Sequence, residues 1–139
     1  TTASNIPNSV STVLNGLPVL QQPVSARAEN DFLIDASFAE AKAYRNRDGQ
    51  EFILYNGLIR RTWRVTPNGA CVGFDNLTTG QAILRGVRPE AILSINGKEV
   101  IVGGLSEQPN HAFLTPDWLA NLSAHDGSLR VTRTFFVYG

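Results

Sequence analysis

Residues 50–74 read QEFILYNGLIRRTWRVTPNGACVGF, and this stretch decides the fold. Its short apolar segments are separated by Asn56-Gly57 and by Pro67-Asn68-Gly69. Asn-Gly pairs supply the positive-φ residues that tight hairpin turns require. The stretch therefore predicts three consecutive antiparallel strands, over residues 50–55, 58–65 and 70–74.

The same turn signals continue on both sides of this stretch. Asp48-Gly49 indicates a hairpin before it, and Asn96-Gly97 indicates one that joins strands over 91–95 and 98–102. A further strand is expected over 81–87, and another over 129–137. Short strands spaced by about 8–12 residues are typical of antiparallel sandwiches and barrels. The predicted fold class is all-β, an antiparallel β-sandwich.

One short helix is expected near residues 115–122. Thr115 suits the N-cap, Pro116 the first helical position and Asp117 an acidic first turn. Residues 1–29 are rich in Ser, Thr, Asn and Pro, and they predict an extended leader or linker with one edge strand around residues 12–14. The sandwich domain is expected over 30–139, as a piece of a larger protein.

Composition excludes several classes of function. The 139 residues carry 12 Lys and Arg against 12 Asp and Glu, so the net charge is zero. A protein that neutralises nucleic-acid phosphates usually carries a basic excess, so no nucleic-acid partner is expected. No apolar run approaches the roughly 20 residues of a membrane span. The chain has no Met, so its first residue is expected to be a processed or engineered end.

The residues that could carry chemistry form no recognised motif. His111 and His125 lack a G-x-S-x-G nucleophile elbow and the spacing of a metal site. Cys71, the single cysteine, falls within a strand pattern and is expected to be a small buried residue. No catalytic residue, metal ligand or cofactor is predicted.

Carboxylates are also unpaired along the chain. Glycoside hydrolysis needs two carboxyl groups about 5–10 Å apart. The candidates near turns show no such pairing and are expected to be solvated surface charges: Asp75, Glu90, Glu107 and Asp117.

Sugar binding is the one chemistry that the residue types favour. Sugars are bound by exposed aromatic faces together with amide, imidazole and charged groups. The candidate residues for carbohydrate or interdomain contact are Trp118, His111, Asn110, Gln108 and Tyr44. The alternative is that Trp118, like Trp63, is an anchor in the core or between domains.

Several motifs carry a resemblance to a known family. They comprise residues 56–64, 67–70, 74–80, 85–91, 102–105, 108–114 and 117–119, among them NGLIRRTWR, FDNLTTG and RGVRPEA. In this order they resemble the N-terminal β-sandwich of large exported Bacteroidetes-type glycoside hydrolases similar to melibiase-type α-galactosidases. The resemblance covers roughly residues 38–122.

The resemblance implies a non-catalytic function. In such enzymes the sandwich precedes a TIM barrel that holds both catalytic carboxylates, and a barrel needs about 250 residues. The chain is therefore expected to support a catalytic domain of the same polypeptide and to shape its sugar pocket. Secretion or a periplasmic location follows from the same resemblance. The alternatives are a free-standing carbohydrate-binding module and a structural or adhesion domain that binds protein.

Overall fold

The computed structural model describes residues 8–21, 33–35, 39–106 and 114–129, with the side chains at 8–11 and 116 excluded. These residues form seven strands and two short helices. In chain order they are α1 (Asn8–Gly16), β1 (Lys42–Arg45), β2 (Glu51–Tyr55), β3 (Ile59–Arg64), β4 (Ala70–Asn76), β5 (Gln81–Leu84), β6 (Ala91–Ile95), β7 (Lys98–Val102) and α2 (Pro116–Asn121).

The strands form two antiparallel sheets. The first sheet has five strands in the order β1-β2-β3-β4-β5, so every strand pairs with its neighbour in sequence. The second sheet is the β6–β7 hairpin. This sandwich-like, all-β architecture confirms the predicted fold class, because short loops between alternating segments favour pairing of consecutive strands.

The predicted C-terminal helix is also confirmed. Thr115 has extended backbone dihedrals, and its side chain accepts a hydrogen bond from the backbone N–H of Trp118 at 3.5 Å. Pro116 occupies the start of α2, and Asp117 lies in its first turn. The N-cap, the proline and the acidic residue thus act together to begin the helix where the sequence indicates.

The edge strand predicted around residues 12–14 is wrong, because α1 covers these positions. Val13 and its Ser and Thr neighbours favour a strand locally, but Leu14 becomes 98% buried in the helix, with 2% of its surface exposed. Tertiary burial therefore outweighs local propensity here. The division of the chain between residues 29 and 30 stays a prediction.

After α1 the chain runs beside β1. Val19 and Arg45 form a parallel bridge, in which Arg45 N–H donates to Pro18 and Leu20 N–H donates to Arg45, each at 3.0 Å. The Arg45 guanidinium also donates to the carbonyl of Leu17 at 3.1 Å. These bonds attach the segment after α1 to the edge of the five-stranded sheet.

The buried core lies where β4 meets α2 and two connecting loops. Its members are aliphatic and at most 9% exposed: Ala70, Val72, Val87, Leu105, Leu119 and Leu122. Leu114 packs against this cluster from its edge. A backbone hydrogen bond of 2.8 Å from Leu105 to Val87 joins the two loops.

Asn68 is a buried polar residue at the centre of the molecule, with 1% of its surface exposed. Its side-chain amide donates to the carbonyl of Gly104 at 3.3 Å and to Oγ of Ser128 at 2.9 Å. Its Oδ1 accepts from the N–H of Gly69 at 2.9 Å. Asn68 therefore joins the β3–β4 turn to two distant loops.

The expected last strand begins at Leu129, whose backbone bridges Val102 in parallel. The rest of that predicted strand, residues 130–137, lies outside the described residues.

Candidate functional site

A cleft of about 520 Å³ lies between the β1–β2 turn and α2. Its polar lining residues are Asn46, Asp48, Gln50, Glu51, Arg64 and Thr115. Its apolar lining residues are Val72, Leu114, Leu119 and Ala120, and Val72 and Leu119 are buried members of the core. Sites for small ligands commonly have volumes of about 300–1,000 Å³ and combine apolar walls with a few polar groups.

The β1–β2 turn, which supplies part of the polar lining, is positioned by the side chain of Asn46. Its Oδ1 accepts hydrogen bonds from the backbone N–H groups of Gln50, at 3.0 Å, and Glu51, at 3.1 Å. Gly49 takes a positive φ of 66°, which completes the tight turn. The exposed residue Asp48 is thereby held at the mouth of the cleft.

Glu51 and Arg64 face each other across β2 and β3 and form the charged centre of the cleft. Their closest nitrogen and oxygen atoms are 3.6 Å apart, and their side chains are 20% and 15% exposed. Burial raises the pKa of Glu51 above its ordinary value, and the nearby Arg64 guanidinium only partly opposes this shift. Arg64 Nε also donates to the carbonyl of Thr66 at 3.0 Å, so the guanidinium is held on both sides.

This arrangement is suited to binding hydroxyl-bearing ligands. Carboxylates accept hydrogen bonds from hydroxyl groups, while guanidinium and amide groups donate to them. The apolar lining residues suit the C–H face of such a ligand. Within the described ranges, no three His, Cys, Asp or Glu residues are grouped so that they could hold a metal ion.

Two of the residues predicted to contact carbohydrate, Trp118 and Tyr44, lie on different elements. Trp118 lies on α2 with 37% of its surface exposed, and Tyr44 is half-buried on β1. Tyr44 packs edge-to-face with Tyr55, with ring centroids 6.1 Å apart. Neither Trp118 nor Tyr44 lines the cleft. The other three candidates, Gln108, Asn110 and His111, lie outside the described residues.

Sequence reasoning missed the cleft residues because each belongs to an ordinary turn or strand pattern. Asp48 was predicted only as part of a hairpin turn. The signal that could have revealed the site is the pairing of Glu51 with Arg64, which follows once the β2–β3 register is known.

A second charged cluster is centred on Asp75 of β4. Arg60 donates through Nε and Nη2 to Asp75 Oδ2, at 3.0 and 2.8 Å, and Arg85 Nη2 donates to Oδ1. Asp75 is buried, so its expectation as a solvated surface charge is wrong. Burial raises the pKa of this carboxyl, but the hydrogen bonds from Arg85 and Arg60 outweigh burial and lower the pKa overall.

Glu90 connects β4 to the start of β6. Its Oε1 accepts from the backbone N–H of Cys71 at 2.6 Å, and its Oε2 contacts Arg61 at 3.3 Å. The Arg61 guanidinium also lies 4.6 Å from the ring centroid of Trp63. Cys71 is buried, as its strand position predicts.

The β6–β7 hairpin presents unusual apolar exposure. Ile92, Leu93 and Ile95 of β6 are 62%, 45% and 53% exposed. Because side chains alternate along a strand, Ile92 lies on one face of the hairpin, and Leu93 and Ile95 lie on the other. Among the described residues, neither face of the outer part of this hairpin is covered.

Comparison with known proteins gives no relative. No protein-family model, no curated protein and no solved structure matches the chain. In the part of the chain that the structure describes, neither helix is long and apolar enough to cross a membrane.

Proposed function

We propose that this chain is a non-catalytic β-sandwich domain of a secreted or periplasmic glycoside hydrolase and packs against the catalytic domain of the same polypeptide. The motif resemblance over residues 38–122 supports the class of enzyme. The observation that carries the packing role is the apolar exposure on both faces of the β6–β7 hairpin, at Ile92, Leu93 and Ile95.

An uncovered hairpin of this composition is unfavourable in water. A two-stranded hairpin is at best marginally stable alone, and full burial of one Ile or Leu side chain contributes about 1.5–3 kcal/mol. Lys98 and Glu99 follow at the tip and are exposed. An apolar centre with a charged rim is the usual composition of a surface between protein domains.

The described carboxylates support a non-catalytic function, because several of them bind neighbouring groups of the fold. Asp75 binds two arginines, Glu51 faces Arg64, and Glu90 accepts from the backbone of β4. A catalytic pair needs one carboxyl group that protonates the leaving group and another that attacks or activates water.

Hydrogen exchange tests this proposal. The natural reading frame that contains this chain is expressed whole, and amide exchange over β6–β7 is compared with that of the chain alone. We expect β6–β7 to exchange rapidly in the chain alone and slowly in the whole protein. The β3–β4 pair, at the interior of the five-stranded sheet, serves as the control and should be protected in both.

A substitution pair isolates the surface itself. Ile92→Ser should lower the melting temperature of the whole protein but leave that of the chain alone unchanged. Ile59→Ser is the matched control, since Ile59 is also an exposed isoleucine, at 42%, but lies on β3.

Protection of β6–β7 in the chain alone would contradict the packing role. A reading frame without a glycosidase domain, or α-galactoside hydrolysis by this chain alone, would contradict the proposed class.

A second candidate function is carbohydrate binding by the chain itself, and the mixed polar and apolar lining of the cleft favours it. The ligand would be a sugar that places its hydroxyl groups against Glu51 and Arg64 and its C–H face against Leu119.

Calorimetric titration with galactosides and plant glycans is the direct test. Asp48→Asn should weaken binding, whereas Asp126→Asn should not, because both are exposed Asp-Gly turn residues but only Asp48 lines the cleft. Absence of heat with every sugar removes this candidate.

A further inference from the structure

We propose that Asn96 is a site of spontaneous deamidation, which converts it to aspartate and isoaspartate faster than the other three Asn-Gly pairs. The four pairs have the same local sequence, Asn followed by Gly, at residues 15, 56, 68 and 96. Glycine favours the reaction in all four, because it has no Cβ to hinder its own nitrogen. The surrounding structure must therefore decide which pair reacts.

The reaction needs only water. The backbone nitrogen of Gly97 attacks Cγ of Asn96 and loses its proton to solvent, and a new C–N bond closes a five-membered imide. The bond from Cγ to the side-chain nitrogen breaks, and that nitrogen leaves with a proton from solvent as ammonia. Water then adds to one of the two imide carbonyls, the bond from that carbon to the Gly97 nitrogen breaks, and the nitrogen takes up a proton. Opening at Cγ gives aspartate, and opening at the backbone carbonyl of residue 96 gives isoaspartate. No group is oxidised or reduced.

Asn96 has the structural freedom that this ring closure requires. It lies at the tip of the β6–β7 hairpin, where Ile95 pairs directly with Lys98 across a two-residue loop. The strand residues on both sides of the tip are exposed, and a Cβ built on Gly97 meets no atom within 4 Å. A two-stranded tip without tertiary cover opens at low free energy, so the backbone of Asn96 can rotate from its φ of 52° to the reactive conformation.

Asn56 is restrained by its own turn. Its Oδ1 accepts from the backbone N–H groups of Leu58, at 3.0 Å, and Ile59, at 2.9 Å. The Asn56 backbone N–H also donates to the carbonyl of Ile59 at 3.4 Å. Ring closure would require the side-chain carbonyl to leave both donors, so these bonds oppose the reaction.

Asn68 is restrained by burial. Its amide nitrogen, which would have to leave as ammonia, donates to Gly104 and Ser128. The residue is 1% exposed, so water does not reach it without opening of the core. Its reaction should therefore depend on opening of the fold rather than of one hairpin.

Asn15 is restrained by secondary structure, because it lies in the last turn of α1, next to Gly16. Helical dihedrals hold the nitrogen of Gly16 in the helix and away from Cγ of Asn15. The N–H of Leu17 donates to the carbonyl of Leu14 at 3.0 Å and closes this turn. Ring closure at Asn15 therefore requires unwinding of the helix end.

Conversion of Asn96 changes the charge of the hairpin tip. The tip gains a carboxylate close to Ile95 and Glu99, and isoaspartate adds a backbone atom that distorts the two-residue loop. If the hairpin packs against a catalytic domain, both changes weaken that packing. Only this consequence, and not the reaction, rests on the proposed function.

Peptide mapping by mass spectrometry tests the selectivity. The folded chain is incubated at mildly alkaline pH, and the amide-to-acid mass gain and isoaspartate content are followed for each Asn-Gly peptide. We expect Asn96 to convert about tenfold faster than Asn15, Asn56 or Asn68, since its opening free energy is the lowest. In denaturant we expect all four pairs to convert at similar rates. Similar rates there would show that the fold provides the selectivity.

Asn96→Gly is the control variant, because glycine keeps the positive φ of the turn without the side-chain amide. The acid and isoaspartate signals of the hairpin peptide should then disappear, while the denaturation midpoint stays unchanged. An Asn96 that keeps its amide while the denatured chain converts would overturn the proposal. So would equal rates at Asn96 and Asn68 in the folded chain.

Discussion

The N–H of Gly104 donates to the carbonyl oxygen of Gly69 at 2.7 Å, and this bond holds Gly103 directly against the same oxygen. A Cβ at Gly103 would overlap that oxygen. Gly103 also has a positive φ of 67°. Two requirements for glycine, space and backbone conformation, thus coincide where the β6–β7 hairpin joins the core.

Gly103→Ala should therefore destabilise the fold strongly. Gly80→Ala is the matched control, because Gly80 has a φ of 72° but no atom within 4 Å of a built Cβ. The control should lower the free energy of unfolding by about 1–2 kcal/mol, the cost of the left-handed conformation alone. Gly103→Ala should lower it by about 3 kcal/mol or more, because overlap with backbone adds to that cost. Urea denaturation measures both values, and equal losses would contradict the close approach.

Asn68→Asp should destabilise the fold although it changes one atom. The bond to the Gly104 carbonyl becomes a contact between two acceptors, and the Ser128 hydroxyl can donate to the new oxygen only by leaving the carbonyl of His125. A charge is also left in a buried site, which costs about 3–5 kcal/mol when unpaired. Asn56→Asp is the control, because the hydrogen bonds of the Asn56 side chain in its turn are accepted by Oδ1, which aspartate keeps. It should change the free energy of unfolding by less than about 0.5 kcal/mol. A small change in the free energy of unfolding of Asn68→Asp would show that the Asn68 amide does not stabilise the fold.

Asp75→Asn should destabilise the fold in a pH-dependent manner. The folded-state pKa of Asp75 lies below its ordinary value of 3.8, so the ionised carboxylate stabilises the fold above that pH. Loss of its charged hydrogen bonds to Arg60 and Arg85 should cost about 1–3 kcal/mol at neutral pH. The difference from the wild type should shrink as the pH falls through the folded-state pKa, because the wild-type carboxyl is then protonated as well.

Urea denaturation of both proteins between neutral and acidic pH measures this difference. Asp126→Asn is the control, since Asp126 is exposed in a turn, and it should have little effect at any pH. A pH-independent loss in Asp75→Asn would mean that the carboxylate does not stabilise the fold through its charge.

Truncation of two neighbouring residues of α2 should lower the stability of the fold by different amounts. Leu119 is 8% exposed within the core, so Leu119→Ala should cost about 2–5 kcal/mol of stability. Trp118 is 37% exposed, and Trp118→Ala should cost less than about 1 kcal/mol despite the larger side chain removed. Thermal denaturation of the two variants compares them, and a larger loss at Trp118 would make it a core anchor.

Turn chemistry explains how much of the fold the sequence predicts. Asn96-Gly97 forms the expected two-residue loop between β6 and β7, and the Thr115 cap begins α2. Asn56-Gly57 is the same dipeptide but lies in a longer loop. The Asn56 side chain accepts from two later N–H groups, so the first paired residues of β2 and β3 are Tyr55 and Arg60. A dipeptide therefore predicts that the chain turns, but not the register that follows.

Contacts between distant segments were not predictable from local patterns. The cleft depends on a turn after β1 lying beside a helix that begins at Pro116, and no spacing rule joins them. Asp75 resembles any carboxylate near a turn until β3 brings Arg60 beside it and the segment after β5 brings Arg85. The sequence predicts an element well where a single turn or cap determines it. It predicts the environment of a side chain poorly where a segment distant in sequence supplies the contacting residues.

The bond between Asn68 and Ser128 has a kinetic consequence. The hairpins β1–β2, β2–β3 and β6–β7 each close a short loop, whereas Asn68 and Ser128 are 60 residues apart. The entropy of closing a loop grows with its length, so we expect this contact to form after the transition state for folding. Ser128→Ala should then accelerate unfolding and leave the folding rate unchanged in stopped-flow measurements. The lifetime of the folded chain would be governed by this contact between distant segments rather than by its sheets.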